Sequence, residues 1–351
     1  MGSAAESDGT EVEGWRLHSW GGQPNWEEIV IPGPGPGEIL VEVEACGVGL
    51  TVLNCINGDL DDSGKLLPLT PGHEVVGRVA ALGEGVASPA IGDRVMAYFY
   101  LACFRCSRCL EGRESLCENL GGWYGVHRDG GYAPVTVLPA GNAVGLEHDI
   151  DPPEATVIPD AVATPVHVCR RRLGLEPGDR VAIIGAGGGV GAHMVQVARA
   201  CGAVVAGLEV SDDKLSLVED LGALPVAARD LEAVDLGDFG GGADAVIDLV
   251  GTRSTLGWGL GALRGGGRLC VLTTFRDMTL EIDPRSLVFK ECSIVGSRYA
   301  SRAELEEAAD LVASGVVRAV VGEVVDARDV EVLHERLRAG SLRGRGALVW
   351  S

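Results

Sequence analysis

Basic residues are scarce in this chain, with 29 Lys and Arg against 50 Asp and Glu and a formal net charge of −21 at pH 7. A surface this acidic repels phosphate backbones, and no Lys/Arg-rich block offsets it locally, so no nucleic-acid partner is expected. The opening MGSAAESDGTEVEGW lacks the basic start and apolar run of a secretory signal. An uninterrupted membrane span is missing too. Residues 181–198 carry no charge, but glycines crowd the middle and His193 and Gln196 interrupt the end. That stretch reads as strand, glycine turn and helix, and no membrane partner is expected. The paired spacing of a disulfide scaffold is absent as well. Four of the ten cysteines cluster and six stand alone, the usage of a reducing compartment with a metal site, so a cytoplasmic location is expected. Internal repeats and low-complexity blocks are not found.

A chain of 351 residues is long enough for two domains of roughly 150 residues each. Its first third holds short β-type runs at 39–43, 75–80, 94–99 and 133–137, separated by Gly and Pro turns such as PGPGPGE, which predicts a β-rich, barrel-like domain. From about residue 163, apolar strands alternate with helix-period segments: RVAIIG then HMVQVARACG, AVVAGLE then DDKLSLVEDLG, ADAVIDLVG, and RLCVLTT. That alternation predicts parallel βαβ units in a doubly wound sheet, an α/β fold. After residue 297 come an amphipathic helix at about 302–314 and a strand-bearing tail that either extends this sheet or returns to the first domain.

Cys103, Cys106, Cys109 and Cys117 form C-x2-C-x2-C-x7-C. Four thiolates in a short lobe suit one tetrahedral zinc at Zn–S distances of ~2.3 Å, and a closed thiolate shell leaves no position for substrate, so the role is structural. An iron–sulfur cluster is the competing occupant, disfavoured by the short polar inserts and the lack of a second cluster.

Residues 185–191, GAGGGVG, follow an apolar strand and open a helix. Gly185, Gly188 and Gly191 fit G-x-x-G-x-x-G, and with Gly187, Gly189 and Val190 they form a turn that admits a pyrophosphate to a helix N-terminus. A tight connection with no ligand is the plainer reading of glycines alone. Glu209, about 20 residues on at the end of the next strand, is placed to accept the hydroxyls of an adenosine ribose and to repel a 2′-phosphate, so NAD(H) is expected over NADP(H). Lys214 either touches the same ribose or is a solvated helix-start lysine.

Together these motifs resemble the zinc-containing alcohol dehydrogenases of the medium-chain dehydrogenase/reductase superfamily over nearly the whole chain. PGPGPGEILVEVEACGVG, PGHEVVGRVAALGEGV, GDRV, the four-cysteine lobe, GGYA, GAGGGVG and VFKECSIVGSR carry the resemblance in the family's order. It implies a GroES-like catalytic domain (1–162 and 298–351, zinc lobe at about 100–120) and a Rossmann NAD-binding domain (163–297). It also implies a cleft between them and a homodimer or homotetramer.

In that family a catalytic zinc is held by a cysteine after the first strands, by the histidine of Gly-His-Glu, and by a later cysteine or acid. Gly72, His73 and Glu74 match the second element, and Asp160 in IPDAVATP matches the third as in the secondary alcohol dehydrogenase branch. The family's A-C-G-V-C-H-T-D-L-H aligns with residues 45–54, placing Gly49 at the metal-binding cysteine, Val52 at a supporting aspartate and Asn54 at a relay histidine. Only Thr51 of the proton-handling set remains. The expectation is a cleft without a functional catalytic zinc. Its alternatives are a weak site on His73, Glu74 and Asp160, or rescue by Cys46 or Cys55.

Without a metal, developing negative charge needs other donors, such as Thr51 or a tyrosine among Tyr98, Tyr100 and Tyr124. His73 is the acid/base candidate, or else a cleft histidine held by Glu74. His127 reads as structural or exposed, and Arg298 as a contact to a cofactor phosphate or a surface ion-pair residue. The function expected is an NAD(P)(H)-dependent oxidoreductase acting on a small organic alcohol or carbonyl compound. A zinc-independent reductase of an activated C=C or C=N bond is the alternative, and a silent nucleotide-binding relative the lesser one.

Overall fold

The computed structural model describes residues 9–60, 66–237, 241–273 and 278–350. Most of the acidic opening stretch and Thr274, at the end of the RLCVLTT run, lie outside the described residues.

In β3 (Glu38–Val48), Ile39, Val41 and Val43 are buried while Glu42 is exposed, the period-two pattern of a strand with one wet face; from Ala45 on both faces are covered. β3 pairs antiparallel with β4 (Glu74–Leu82), β6 (Val135–Pro139) and β15 (Arg345–Val349). β5 (Arg94–Ala97) and β7 (Ala143–Gly145) continue the sheet past β4, and β14 (Val321–Asp326) lies parallel to β15 at the other edge. β1 (Thr10–Arg16) and β2 (Asn25–Ile31) make a separate ribbon.

The tail thus returns to the first sheet, in the register Gly346 opposite Val48 to Val349 opposite Ala45. Two strand readings shift. The expected 94–99 strand ends at Ala97, where Tyr98 N–H turns to Asn142 O at 2.7 Å. The 133–137 run starts at Val135, since Pro134 has no N–H to give a ladder.

The second sheet contains β8 (Arg180–Ile184), β9 (Val204–Glu209), β10 (Leu224–Ala227), β11 (Ala243–Asp248), β12 (Leu263–Val271) and β13 (Ser293–Gly296), all parallel in the order β10-β9-β8-β11-β12-β13. Helices cover its central strands, so these carry continuous apolar runs in their middles, such as 181–184 and 245–247, rather than alternating. The polar residues that interrupt the uncharged 181–198 stretch are ties to the tail. In the helix Gly189–Ala200, His193 Nε2 accepts from Val320 N–H (3.0 Å), and Gln196 exchanges two hydrogen bonds with the Arg318 backbone (2.8 and 3.0 Å). Burial pushes His193 down to about 4, which keeps the ring neutral and able to accept.

Between the sheets runs a helical segment with wide turns, Ile158–Val162 and His167–Arg172, flanking Ala163–Val166. Pro159, which cannot donate, sits in the first wide turn, and Asp160 follows it. The segment is tied to the helix Arg302–Ala313, which opens with a capping box of Ser301 and Glu304. Glu304 is buried and accepts from Ser301 N–H (2.6 Å) and Oγ (2.9 Å), while His167 Nδ1 lies 3.0 Å away. Burial alone would raise the Glu304 carboxyl, but the hydrogen bonds to His167 and Ser301 hold it below its ordinary value.

A group depressed in this way contributes stability above the ordinary glutamate range and loses it as pH falls through the depressed value. Glu304→Gln is therefore expected to cost about 1–2 kcal/mol in urea unfolding at neutral pH. The gap to the unsubstituted protein should narrow as the buffer is taken below the glutamate range.

Candidate active site and metal centres

The four lobe cysteines converge. Cys106 Sγ lies 3.5 Å from Cys109 Sγ and 3.9 Å from Cys117 Sγ, and Cys103 Sγ lies 4.0 Å from Cys109 Sγ. A tetrahedral ion with Zn–S of ~2.3 Å places its sulfurs about 3.8 Å apart, so this donor set fits zinc. Backbone N–H groups aim at the sulfurs, from Cys103 to Cys117 Sγ (3.3 Å), Cys106 to Cys103 Sγ (3.4 Å) and Glu118 to Cys106 Sγ (3.5 Å). Such bonds, led by that from Arg105, pull the Cys103 thiol down to about 6, whereas burial pushes Cys109 up to about 12. A bound cation supplies the charge that lets all four ionise.

The glycine turn lies at the carboxyl end of β8. Gly185 has φ of +82° and turns the chain sharply, and a side chain on Gly191 would overlap Gly185 O. A Cβ on Gly187 would stand 2.7 Å from Lys214 Cβ, so Lys214 lies across the turn. Gly188 caps the helix Gly189–Ala200 in extended conformation, with Val190 in its first turn. Glu209, buried at the end of β9, reaches back to accept from Gly187 N–H (2.7 Å) and Val210 N–H (3.2 Å). The arrangement suits a pyrophosphate over the helix N-terminus with a ribose beside Glu209.

Arg298 is not part of this cluster. Its guanidinium lies over the rings of Tyr100 (4.9 Å) and Trp123 (5.8 Å), and its Nε donates to Tyr100 Oη at 2.9 Å. Aromatic faces attract a guanidinium, and these contacts place Arg298 against Tyr100 and Trp123.

His73, Glu74 and Asp160 do come together, with donor atoms within 4.8 Å of one another. His73 precedes β4, Glu74 starts it, and Asp160 comes from the wide helical turn. His73 Nε2 is 3.5 Å from Glu74 Oε1 and 3.6 Å from Asp160 Oδ2, and has no hydrogen-bond partner among the described residues. Its ring packs 4.4 Å from Phe99. Burial lowers the His73 pKa, with Arg345 adding to that and Asp160 opposing it, so the ring is neutral at pH 7. Thr164 Oγ1 donates to Asp160 Oδ1 at 2.9 Å. Thr51 is half-buried in the first turn of the helix Leu50–Asn57, which Gly49 caps.

The residue that sequence reasoning missed is Arg345, at the head of β15. It is buried; Nε donates to Glu74 Oε2 (2.9 Å), and Nη2 donates to Asp160 Oδ2 (2.8 Å) and also pairs with Glu74 Oε1. A Cβ built on Gly49 would fall within the van der Waals shell of Cζ and both Nη atoms of this guanidinium. The signal in the sequence was the second arginine of RGR, opening the apolar run of the chain's last strand.

A second zinc finds a poor donor set here. Two of the three candidate ligands are ion-paired to Arg345, and position 49 has no side chain. A divalent ion about 4 Å from a guanidinium meets a repulsion on the order of 8 kcal/mol at an effective dielectric of about 20.

The two thiols considered as substitute ligands do not lie with this group. Cys46 and Cys55 are buried in the core, with Sγ atoms toward Gly47 O and Gly125 O (3.6 Å each), and neither joins the His73 cluster. Burial pushes both thiols up, Cys55 to about 12. Two of the three tyrosines considered as donors have hydroxyls held by buried partners. Fully buried Tyr98 Oη donates to Ala300 O (2.7 Å), and Tyr124 Oη pairs with Thr136 Oγ1 (2.7 Å). Tyr100 Oη accepts from Arg298 Nε at 2.9 Å, and His127 Nδ1 accepts from Trp123 N–H at 3.2 Å. Tyr299, absent from the sequence reading, stacks on Tyr100 at 5.2 Å and donates to Pro159 O, next to Asp160.

The geometry defines a two-part oxidoreductase, a GroES-like unit joined to a Rossmann-type unit. Family models match as the alcohol dehydrogenase GroES-like domain over residues 35–148 and as a zinc-binding dehydrogenase over residues 189–314. An alcohol dehydrogenase of Geobacillus stearothermophilus is 36% identical over 324 residues, 91% of this chain and 93% of its own. The cobalt- and zinc-bound thermostable alcohol dehydrogenase of Pyrobaculum aerophilum is similar with a TM-score of 0.88 at 29% identity, covering 97% of this chain and 100% of its own. Acetophenone reductase from Geotrichum candidum in complex with NAD gives 0.83 at 28% identity, covering 99% and 98%. The chain belongs to the zinc-type alcohol dehydrogenases of the medium-chain dehydrogenase/reductase superfamily and is an NAD(P)-dependent oxidoreductase.

Cys106→Ser leaves three thiolates in the lobe. Zinc retained through desalting, counted by elemental analysis, is expected to fall by about half or more, and the heat-unfolding midpoint to fall with it.

Proposed function

We propose that this enzyme interconverts a small organic alcohol and its carbonyl compound with NAD(H), using one structural zinc in the four-cysteine lobe and no catalytic zinc. The observation that carries this reading is Arg345 lodged between Glu74 and Asp160, beside a glycine where the family has a thiolate. Residues 1–162 and 298–351 serve as the catalytic unit and 163–297 as the nucleotide-binding unit.

The nicotinamide, when bound, supplies or accepts the hydride. The glycine turn at Gly185, Gly187, Gly188, Gly189, Val190 and Gly191 holds the pyrophosphate. Glu209 accepts the ribose hydroxyls and opposes a 2′-phosphate, with Lys214 alongside. In the cleft, Arg345 bonds to both Glu74 and Asp160 and offsets one of their two negative charges, which lessens their opposition to the negative charge that grows on a carbonyl oxygen during reduction. Neutral His73 and the Thr51 hydroxyl are the groups that exchange a proton at that oxygen.

Steady-state turnover with alcohols and carbonyl compounds tests this reading, with zinc counted on the same preparation. Turnover is expected with one zinc per chain and with kcat/KM at least about tenfold higher for NADH than NADPH, the value of roughly one charge–charge or charge-assisted contact. Two zinc ions per chain overturn the metal-free cleft. Turnover confined to conjugated C=C or iminium substrates replaces the substrate class with the activated-bond reductase, and NADH binding with no turnover leaves a silent relative.

No described helix is long and apolar enough to cross a membrane. The ten cysteines are all free, which supports a reducing, cytoplasmic setting. We further propose a homodimer or homotetramer joined at β13, the exposed edge of the parallel sheet, beside Val288 (70% exposed) and Phe289 (76% exposed). Light scattering is expected to give a mass of two or four chains, and a monomer would sink this assembly.

A further inference from the structure

Resting on the metal-free reading, we infer that Arg345 is a resident organic cation that occupies the place of a metal ion and that Gly49 is the residue that admits it. The guanidinium is placed by the sheet. Arg345 N–H bonds to Val320 O at 2.9 Å, and the next residue, Gly346, pairs with Val48, so the arginine enters the cleft directly beside Gly49. Its stem passes the glycine turn, where a Cβ on Gly189 would stand 2.8 Å from Cδ and 2.9 Å from Nη1. Glycines on two sides therefore make the channel through which the side chain reaches Glu74 and Asp160.

The carboxylates receive from one guanidinium a single positive charge and directed N–H donors, where a zinc ion would bring two charges and open coordination positions. Both requirements meet at position 49. A side chain there collides with the guanidinium, and its absence removes a metal ligand. Arg345 is on this account a specificity-determining and positioning residue. It sets which cation the cleft holds and fixes Asp160 opposite His73.

The test counts zinc in the full-length enzyme grown with added zinc, for the unsubstituted protein, Gly49→Cys, and Gly49→Cys combined with Arg345→Met, which keeps an apolar stem. Arg345→Ala in the same background is a second version should methionine not pack. One ion per chain is expected for the unsubstituted protein and for Gly49→Cys, and two for the double variants, returning to one when His73→Ala is added. A Gly49→Cys protein that is insoluble until Arg345 is shortened supports the same steric link.

The inference is overturned if Gly49→Cys alone gains a second ion, or if a double variant with native circular dichroism and its lobe zinc stays at one. Two ions in the unsubstituted protein would instead defeat the metal-free reading on which the inference rests. The two failures are thus told apart.

Discussion

Glu74 carries its carboxylate at the start of β4 with no exposure to solvent. A charge so placed loses its hydration and persists only with a well-aligned counter-charge. Arg345 provides that from a strand 271 residues later in the chain. The pair therefore does topological work, linking the tail that returns through β15 to the strand that begins just after His73. Asp160, the third member, comes from the wide helical turn between the two sheets. Three segments distant in sequence are referenced to one guanidinium, and a buried pair of this kind costs about 3–5 kcal/mol when one member is removed.

Around this centre the remaining polar groups divide between holding the architecture and facing the cleft. The zinc lobe does not hang free of the catalytic unit. Phe104, within the lobe, lies 6.3 Å from Tyr98 and under the Arg302 guanidinium at 5.4 Å, while Arg302 bonds Gly141 O and Ala143 O at 2.8 and 2.9 Å. The helix Arg302–Ala313 thus clamps the lobe on one side and, through Glu304, the Asp160-bearing segment on the other. Phe99, Tyr100, Trp123 and Tyr299 form an aromatic wall beside His73, with Arg298 drawn onto it. This grouping explains why hydroxyls that looked chemically available are not. Tyr98 and Tyr124 are consumed in supporting the wall and the barrel.

Much of the fold was legible because its signals are local. The glycine turn, the alternation in β3, the continuous apolar strands of the parallel sheet and the cysteine spacing each follow from neighbouring residues and the periods of strand and helix. Glu209 was legible because a βαβ unit fixes the distance from the turn to the next strand end. The cleft was read only by halves. His73, Glu74 and Asp160 were visible through the resemblance, and Gly49 as a missing ligand. What filled the gap was not visible, since Arg345 lies in a tail whose sheet partner was undecided.

The sequence by itself determined the two-part architecture, the four-cysteine lobe, the glycine turn and the absence of a thiol at position 49, because each follows from local spacing and periodicity. The tertiary structure alone decided that the tail returns to β3, that Arg298 faces the aromatic wall, that Cys46 and Cys55 stay in the core, and that Arg345 sits between Glu74 and Asp160. These depend on strand register and on the direction of side chains brought together from distant segments, where one residue of slip turns a side chain to the opposite face.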